Sequence, residues 1–551
     1  MRITATRRSL AALAAASLLA ACTGEAGSES DKGSTGSQGQ STQILRIGST
    51  DEVDSLNPFV GLNSLSYSTW QISYPYLVMY GENLEFVPSF ATDWSASADG
   101  KEWTFHTVPD ATWSDGEPLD AEDVAWSFNT MVKYQDKAAG NWASTVAHLN
   151  KVTATDENTV VFSYGSPVAN VLPQLQQVPI LPEQFWGEYA ASGELKTVEM
   201  TTPVISGGPF IVQSYDKNAS AALKANPEFW GTPPKVAGIS LTMFKDDDAM
   251  IAALRNHEID LIETLPPSGV EPLEEAGFAV DQAPSPSLSD LIFNSNPMKP
   301  KNRELLDPRV REAFASAFDL QQMVDTVWLG TAVLGNSIVP PATGKWSDSS
   351  LHATAYDPAH ANEILDGLGY KPGPDGIRVA DGHRMSYEVI MPDLALGDRM
   401  FAMIRDWLKA VKIEVIQKRV DDSTAFELVT APDGKYLDFD LAMWTWGMLP
   451  DPDFALSVML CSQYGSWNDT GYCNPRYDEL YQEQGTELNE AKRLEIIYRM
   501  QQMLAADRPY IFLGYKNHIT AYDKSWSGFQ KTMYGPYNAL ASTSMIGAHK
   551  G

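Results

Sequence analysis

Three cysteines and a pair of closely spaced tryptophans are the side chains of this 551-residue chain whose types and positions suggest chemistry. Cys22 closes the run Leu19-Ala20-Ala21-Cys22, behind an apolar stretch from Leu10 to Ala21 and the basic residues Arg2, Arg7 and Arg8. A basic start, a short apolar run and small residues at its end read as an export signal. The run is too short for a membrane span, which needs about 20 apolar residues. Arg7-Arg8 leaves the route open between general and twin-arginine export. Cys461 and Cys473 flank the segment SQYGSWNDTGY. In an oxidising compartment they would close a small loop as a disulfide, stabilising the fold by about 3 kcal/mol; two free thiols are the alternative. No histidine lies near either in sequence, which argues against a metal site.

Trp444 and Trp446 stand two apart in Asp440-Leu441-Ala442-Met443-Trp444-Thr445-Trp446-Gly447-Met448. On a strand they share a face. Two indoles on one face of a cleft could stack on a sugar ring or grip an apolar side chain; equally, they could be core.

Catalytic signatures are missing. The sequence has no Gly-x-Ser-x-Gly, no His-Glu-x-x-His, no phosphate-binding loop and no Gly-x-Gly-x-x-Gly. Its eight histidines are scattered from His106 to His549. A formal charge of −30 argues against nucleic acid and anionic lipid as partners, since both demand basic patches. An enzyme is therefore disfavoured, and no cofactor or metal is expected.

The elements that must hold these residues are mixed α and β. Ile44–Gly48, 103–107 and Thr159–Tyr164 alternate as strands. Asp120 caps a helix, with Asp123 three residues on and Val124, Phe128 and Met131 on its apolar face. Further helices are expected over Pro308–Leu329, from Asp357-Pro358 to Gly367, over Asp398–Ala410 before a strand 411–415, and over Leu494–Ala505. Pro266-Pro267, Ala283-Pro284-Ser285-Pro286 and Pro340-Pro341 read as loops, some of them crossings between domains. About 500 residues exceed one core, so two or three domains are expected. Residues 23–42 are polar and Gly/Ser-rich, a slack coil with an r.m.s. span of roughly 25 Å.

Two resemblances sharpen this. The end of the leader resembles a bacterial lipobox, which implies cleavage before Cys22 and a diacylglyceryl anchor on its sulfur; ordinary secretion with an incidental Cys22 is the alternative. From residue 87 onward the order of motifs resembles the extracellular solute-binding proteins of the dipeptide, oligopeptide and nickel ABC importers. The carriers are VPSFATDWSASADGKEWTFH, ATWSDGEPLDAEDVAWSF, Ser206-Gly207-Gly208-Pro209-Phe210, Asn226-Pro227-Glu228-Phe229-Trp230-Gly231, Asp307-Pro308-Arg309-Val310-Arg311, Tyr356-Asp357-Pro358, Asp451-Pro452-Asp453-Phe454 and Asn474-Pro475-Arg476-Tyr477-Asp478. Each is weak alone; their order along nearly the whole chain is specific.

The resemblance implies an α/β, two-lobed periplasmic-binding-protein-like fold with an inserted subdomain, closing on a small solute by a hinge. The expected parts are a leader over 1–21 and a lipidated tether over 22–42. Lobe I takes 43–80, 205–282 and 518–551, the insertion 81–204 and lobe II 283–517. The implied partners are a peptide, or alternatively a short oligosaccharide, and membrane permease subunits; the receptor would act as a monomer on the outer face of the cytoplasmic membrane. The implied ligand site is the strand and turn before Asp451-Pro452, namely Trp444, Thr445, Trp446, Gly447 and Met448, with Tyr67, Trp70, Trp142 and Asn294 as further candidates. Peptide-binding relatives use an aspartate in that turn for the ligand's amine. Here its place falls on Met448, or Leu449, and Asp451 or Asp453 would have to substitute.

Overall fold

Two long strands organise the molecule. In the computed structural model, which describes residues 42–81, 83–394, 396–430, 439–537 and 542–551, Ala279–Phe293 and Tyr510–Tyr522 run antiparallel through the middle of an 11-stranded sheet. Beside Tyr510–Tyr522 the sheet continues with Leu261–Ile262, Ile44–Ser49, Gly238–Met243, Ser220–Ala225 and Phe210–Asp216. Beside Ala279–Phe293 it continues with Leu441–Gly447, Ser386–Met391 and Glu414–Arg419, and Ala332–Leu334 pairs with Tyr510–Tyr522. The leader, Cys22 and nearly all of the tether lie outside the described residues.

The apolar cores divide along the same line. One gathers Leu45, Ile47, Phe210 and Leu241 with Trp526 and Tyr537, and a smaller one Leu254 and Ile262 with Ile519. On the other side, Leu291, Met443 and Leu513 face one core while Leu288, Ala442 and Tyr510 face another, on the opposite side of the sheet. Period-two alternation along each strand produces that split. The result is two α/β lobes sharing one ribbon. The ribbon pairs Ala279–Pro284 with 517–522 and Leu288–Ile292 with 510–515, and its register breaks between Pro284 and Leu288. Pro284 and Pro286 therefore belong to a strand and not to the loop their sequence suggests. They fall where the ladder is interrupted, a position that tolerates residues without an N–H.

A separate four-stranded sheet, in the order Ala91–Ala96, Glu102–Thr107, Thr159–Tyr164 and Leu149–Asp156, carries the helix Ala121–Tyr134. Asp120 and Asp123 cap that helix reciprocally, as their spacing predicts. Phe128 packs on Phe162, with ring centroids 4.9 Å apart, and Phe162 on Phe105. Asp123 also accepts from the Trp113 indole at 3.0 Å, and its burial pushes its carboxyl up to about 6.

Two sequence expectations are corrected. The helix over Pro308–Leu329 is two, Pro308–Ser316 and Leu320–Thr326, because Asp319 accepts from the Gln322 N–H and caps a fresh start. The strand expected at 411–415 begins at Glu414, since Lys412 takes a left-handed backbone (φ 67°) that ends the preceding helix with a turn.

Candidate functional site

The strand Leu441–Gly447 lies directly against the ribbon. Its alternating pattern sends Leu441 and Met443 to one core and Ala442 and Trp446 to the other, with Trp444 on the edge of the latter. Across the ladder Trp446 opposes Leu288, Thr445 opposes Ser289, Trp444 opposes Asp290 and Gly447 opposes Ser287. The Thr445 and Ser289 hydroxyls lie 3.4 Å apart. Gly447 is exposed. Met448 follows, buried, donating its N–H to the Pro286 carbonyl at 3.1 Å, while its own carbonyl accepts from the Tyr534 hydroxyl at 2.6 Å. The strand end thus sits at the register break of the ribbon, tied to the C-terminal segment of the first lobe.

Trp446 is 7% exposed, and its indole N–H donates to Asp469 at 3.3 Å. Its ring meets Phe454 at 6.1 Å and Trp467 at 6.3 Å between centroids. Trp444 is half-buried and lies 6.5 Å from Phe426, which lies 6.0 Å from Trp467. These rings form one aromatic group on the inner face of the strand, with Trp467 as its outermost member, 46% exposed. The two expected tryptophans do share a face; one is enclosed and the other is not.

Two acids lie beneath these rings. Asp469 is buried, accepts from both the Trp446 indole and the Tyr510 hydroxyl, and is pushed by desolvation up to about 7. Asp290 has no exposed surface, and neither of its oxygens has a hydrogen-bond partner among the described residues. Desolvation, reinforced by Asp469, holds its carboxyl well above the usual range. Trp467 and Asp469 both belong to the loop closed by the Cys461–Cys473 disulfide, whose Cα atoms are 4.5 Å apart. Asn468 fixes that loop from inside, donating to the Leu460 and Tyr472 carbonyls at 3.0 and 2.8 Å.

Asp451 is engaged elsewhere. Arg493 grips it with two nitrogens at 2.8 and 2.9 Å, both residues are buried, and the guanidinium also lies over the Trp346 ring. Asp453 accepts from Gln484 at 2.9 Å. With both Asp451 oxygens held by Arg493, this acid presents no free charge to an amine. Asn294 is buried and donates to the Phe439 carbonyl at 2.8 Å, pinning the chain that leaves the ribbon.

Tyr67, Trp70 and Trp142 are brought together, but in the core that the first lobe shares with the insertion. Their centroids are 4.8, 5.6 and 6.5 Å apart. Trp70 and Trp142 are enclosed, so neither presents a surface to a solute in this conformation. A Cβ at Gly61 would stand 2.6 Å from the Trp70 ring, so that glycine is what lets the backbone approach. Asp290, Asp469, Tyr510 and Trp467 escape a reading of the sequence alone. Asp290 leaves a signal even so: an acid facing inward on the apolar strand Leu288–Phe293.

A family model described as bacterial extracellular solute-binding proteins, family 5 Middle, matches residues 85–467. The chain belongs to that family, one of solute-binding proteins and not of enzymes. Protein XP55 of Streptomyces lividans is 28% identical over 99% of this chain and 96% of its own. The dipeptide-binding protein of Escherichia coli K12 is 24% identical over 81% of this chain and 84% of its own. Among solved structures, the oligopeptide-binding protein AppA of Bacillus subtilis in complex with a nonapeptide superposes with a TM-score of 0.75, at 21% identity over 93% of this chain and 99% of its own. Among the described residues no helix is long and apolar enough to cross a membrane.

Proposed function

We propose that this chain is an exported, lipid-tethered receptor that takes a peptide between its two lobes and passes it unchanged to the permease of an ABC importer. The observation that carries the reading is the strand end at Gly447: it is exposed, it abuts the register break of the ribbon, and beyond Ala442 the side of its strand away from the ribbon has no paired strand among the described residues, so an added strand could pair there. The ligands named for two of the relatives above, a dipeptide and a nonapeptide, favour a peptide over an oligosaccharide. Lobe I would comprise 43–80, 205–282 and 518–551, lobe II 283–517 and the insertion 81–204, with the ribbon as hinge. Cys22 would carry the anchor. The turn residues Met448 and Leu449 lack charge and Asp451 serves Arg493, so backbone groups and the aromatic face, not an acid in the turn, supply the grip.

A thermal-shift panel of di- to nonapeptides and β-linked disaccharides tests the reading. A peptide at about 100 times its Kd should add about 2.7 kcal/mol to stability. A shift with disaccharides and none with peptides would overturn the choice of cargo. Cys22→Ser should release the protein to the medium; retention at the cell surface refutes the tether.

A further inference from the structure

The aromatic face beside Gly447 encloses two acids, and the charged neighbour acting on Asp290 is another acid, not a cation. An ionised carboxylate removed from water needs donors or a counter-charge, and Asp290 has no donor among the described residues. For packing alone an apolar side chain of similar volume would serve this position at least as well. Trp444 lies across the ladder from Asp290, the Trp446 indole donates to Asp469, Trp467 joins the same ring group, and indole faces attract cations.

We propose that Trp444, Trp446, Trp467, Asp290 and Asp469 form a subsite for a lysine- or arginine-class side chain of the bound peptide, an inference that rests on the peptide reading above. The methylenes of such a side chain would lie along the indoles while its head meets the free oxygens of Asp290. The depth suits a long arm. Asp290 faces Trp444, and Trp444 is two residues, or about 7 Å, further along the strand than Trp446. An α-amino group held at the peptide backbone near Gly447 stays short of that point. Trp467 is the outer wall and the way in, being the most exposed ring of the group. The disulfide loop that carries both Trp467 and Asp469 holds wall and floor together.

The test measures the affinity of the full chain for Ala-Lys-Ala, for the same peptide acetylated on the lysine Nζ, and for Ala-Ala-Ala. Ala-Lys-Ala should bind at least about tenfold tighter than its acetylated form. Asp290→Asn should shrink that ratio to within about twofold. Should Asp290→Asn fail to fold, Trp467→Ala, on the surface, must narrow the ratio as well. Equal affinities for the two lysine peptides, or a ratio that survives both variants, overturns the subsite and leaves the peptide reading standing. If none of the three peptides binds, the peptide reading falls instead. The subsite is then judged with n-butylguanidinium: tryptophan quenching that Asp290→Asn abolishes sustains it, and absent or unchanged quenching overturns it.

Discussion

The molecule gathers tryptophans twice, and the two groups are built to opposite ends. In the core shared by the first lobe and the insertion, Tyr67, Trp70 and Trp142 interlock at centroid distances of 4.8–6.5 Å. The indole N–H groups of Trp70 and Trp142 find no hydrogen-bond partner among the described residues, although both are enclosed. Each such orphan costs about 1–3 kcal/mol, a cost offset by the apolar area these large rings bury. In the second lobe Trp446 spends its N–H on Asp469, Trp444 is only half-buried and Trp467 faces solvent. The lesson is that indoles do not make a site by number. What separates the groups is graded exposure from rim to floor and polar atoms waiting under the rings.

The comparison breaks most forcefully at Trp70. Trp70→Ala should cost about 3–5 kcal/mol by urea unfolding, since it opens a large cavity beside Gly61. Ligand affinity of the surviving folded protein should be unchanged. A normal unfolding midpoint with lost binding would make the first-lobe group the site and reverse the assignment.

A smaller effect separates the groups by pH. Asp469 is raised from 3.8 to about 7 by burial, and burial raises Asp290 well above its ordinary value too. A carboxyl whose folded value exceeds its unfolded value binds its proton more tightly in the native state. Its contribution is complete below about pH 4 and fades as the pH climbs through about 7. Melting temperature should therefore fall between pH 4.5 and 7.5 more steeply in the parent than in Asp469→Asn. His518, lowered to about 4 by burial, works in the opposite sense, and it is common to both proteins, so the difference isolates Asp469 together with its effect on Asp290. Parallel profiles would remove Asp469 from the account.

Local signals are legible in the residues themselves. The capping box at Asp120 and Asp123, the strand Thr159–Tyr164 and the helix ending at Gly367 follow from spacing alone. The order of motifs implies the two-lobed class. What the sequence conceals is long-range pairing. Pro284 and Pro286 look like loop residues until a partner strand, more than 200 positions away, leaves a gap in its ladder for them. Asp290 is one of 70 acidic residues; its apolar neighbours mark it in the sequence, but its place opposite Trp444 emerges only from the strand pairing. Asp451 looks available in the sequence because Arg493, its partner, lies on a helix 42 residues later. Trp467 and Asp469 stand in plain view between two cysteines, yet nothing local says that this loop folds onto the tryptophan strand.

The finest contrast is at Trp467. As an exposed ring it contributes little to the fold, so Trp467→Ala should change stability by no more than about 0.5 kcal/mol. Its edge contacts with Phe426, Trp446 and Phe454 nevertheless make it the lip of the second group. Affinity for the cargo that the panel identifies should drop several-fold, because a cation–π or stacking partner is worth about 0.5–1 kcal/mol even at an exposed position. That pattern, stability kept and binding lost, is the inverse of what Trp70→Ala should give. If Trp467→Ala leaves both untouched, the second group is packing like the first, and the distinction between them collapses to a difference in hydrogen bonding.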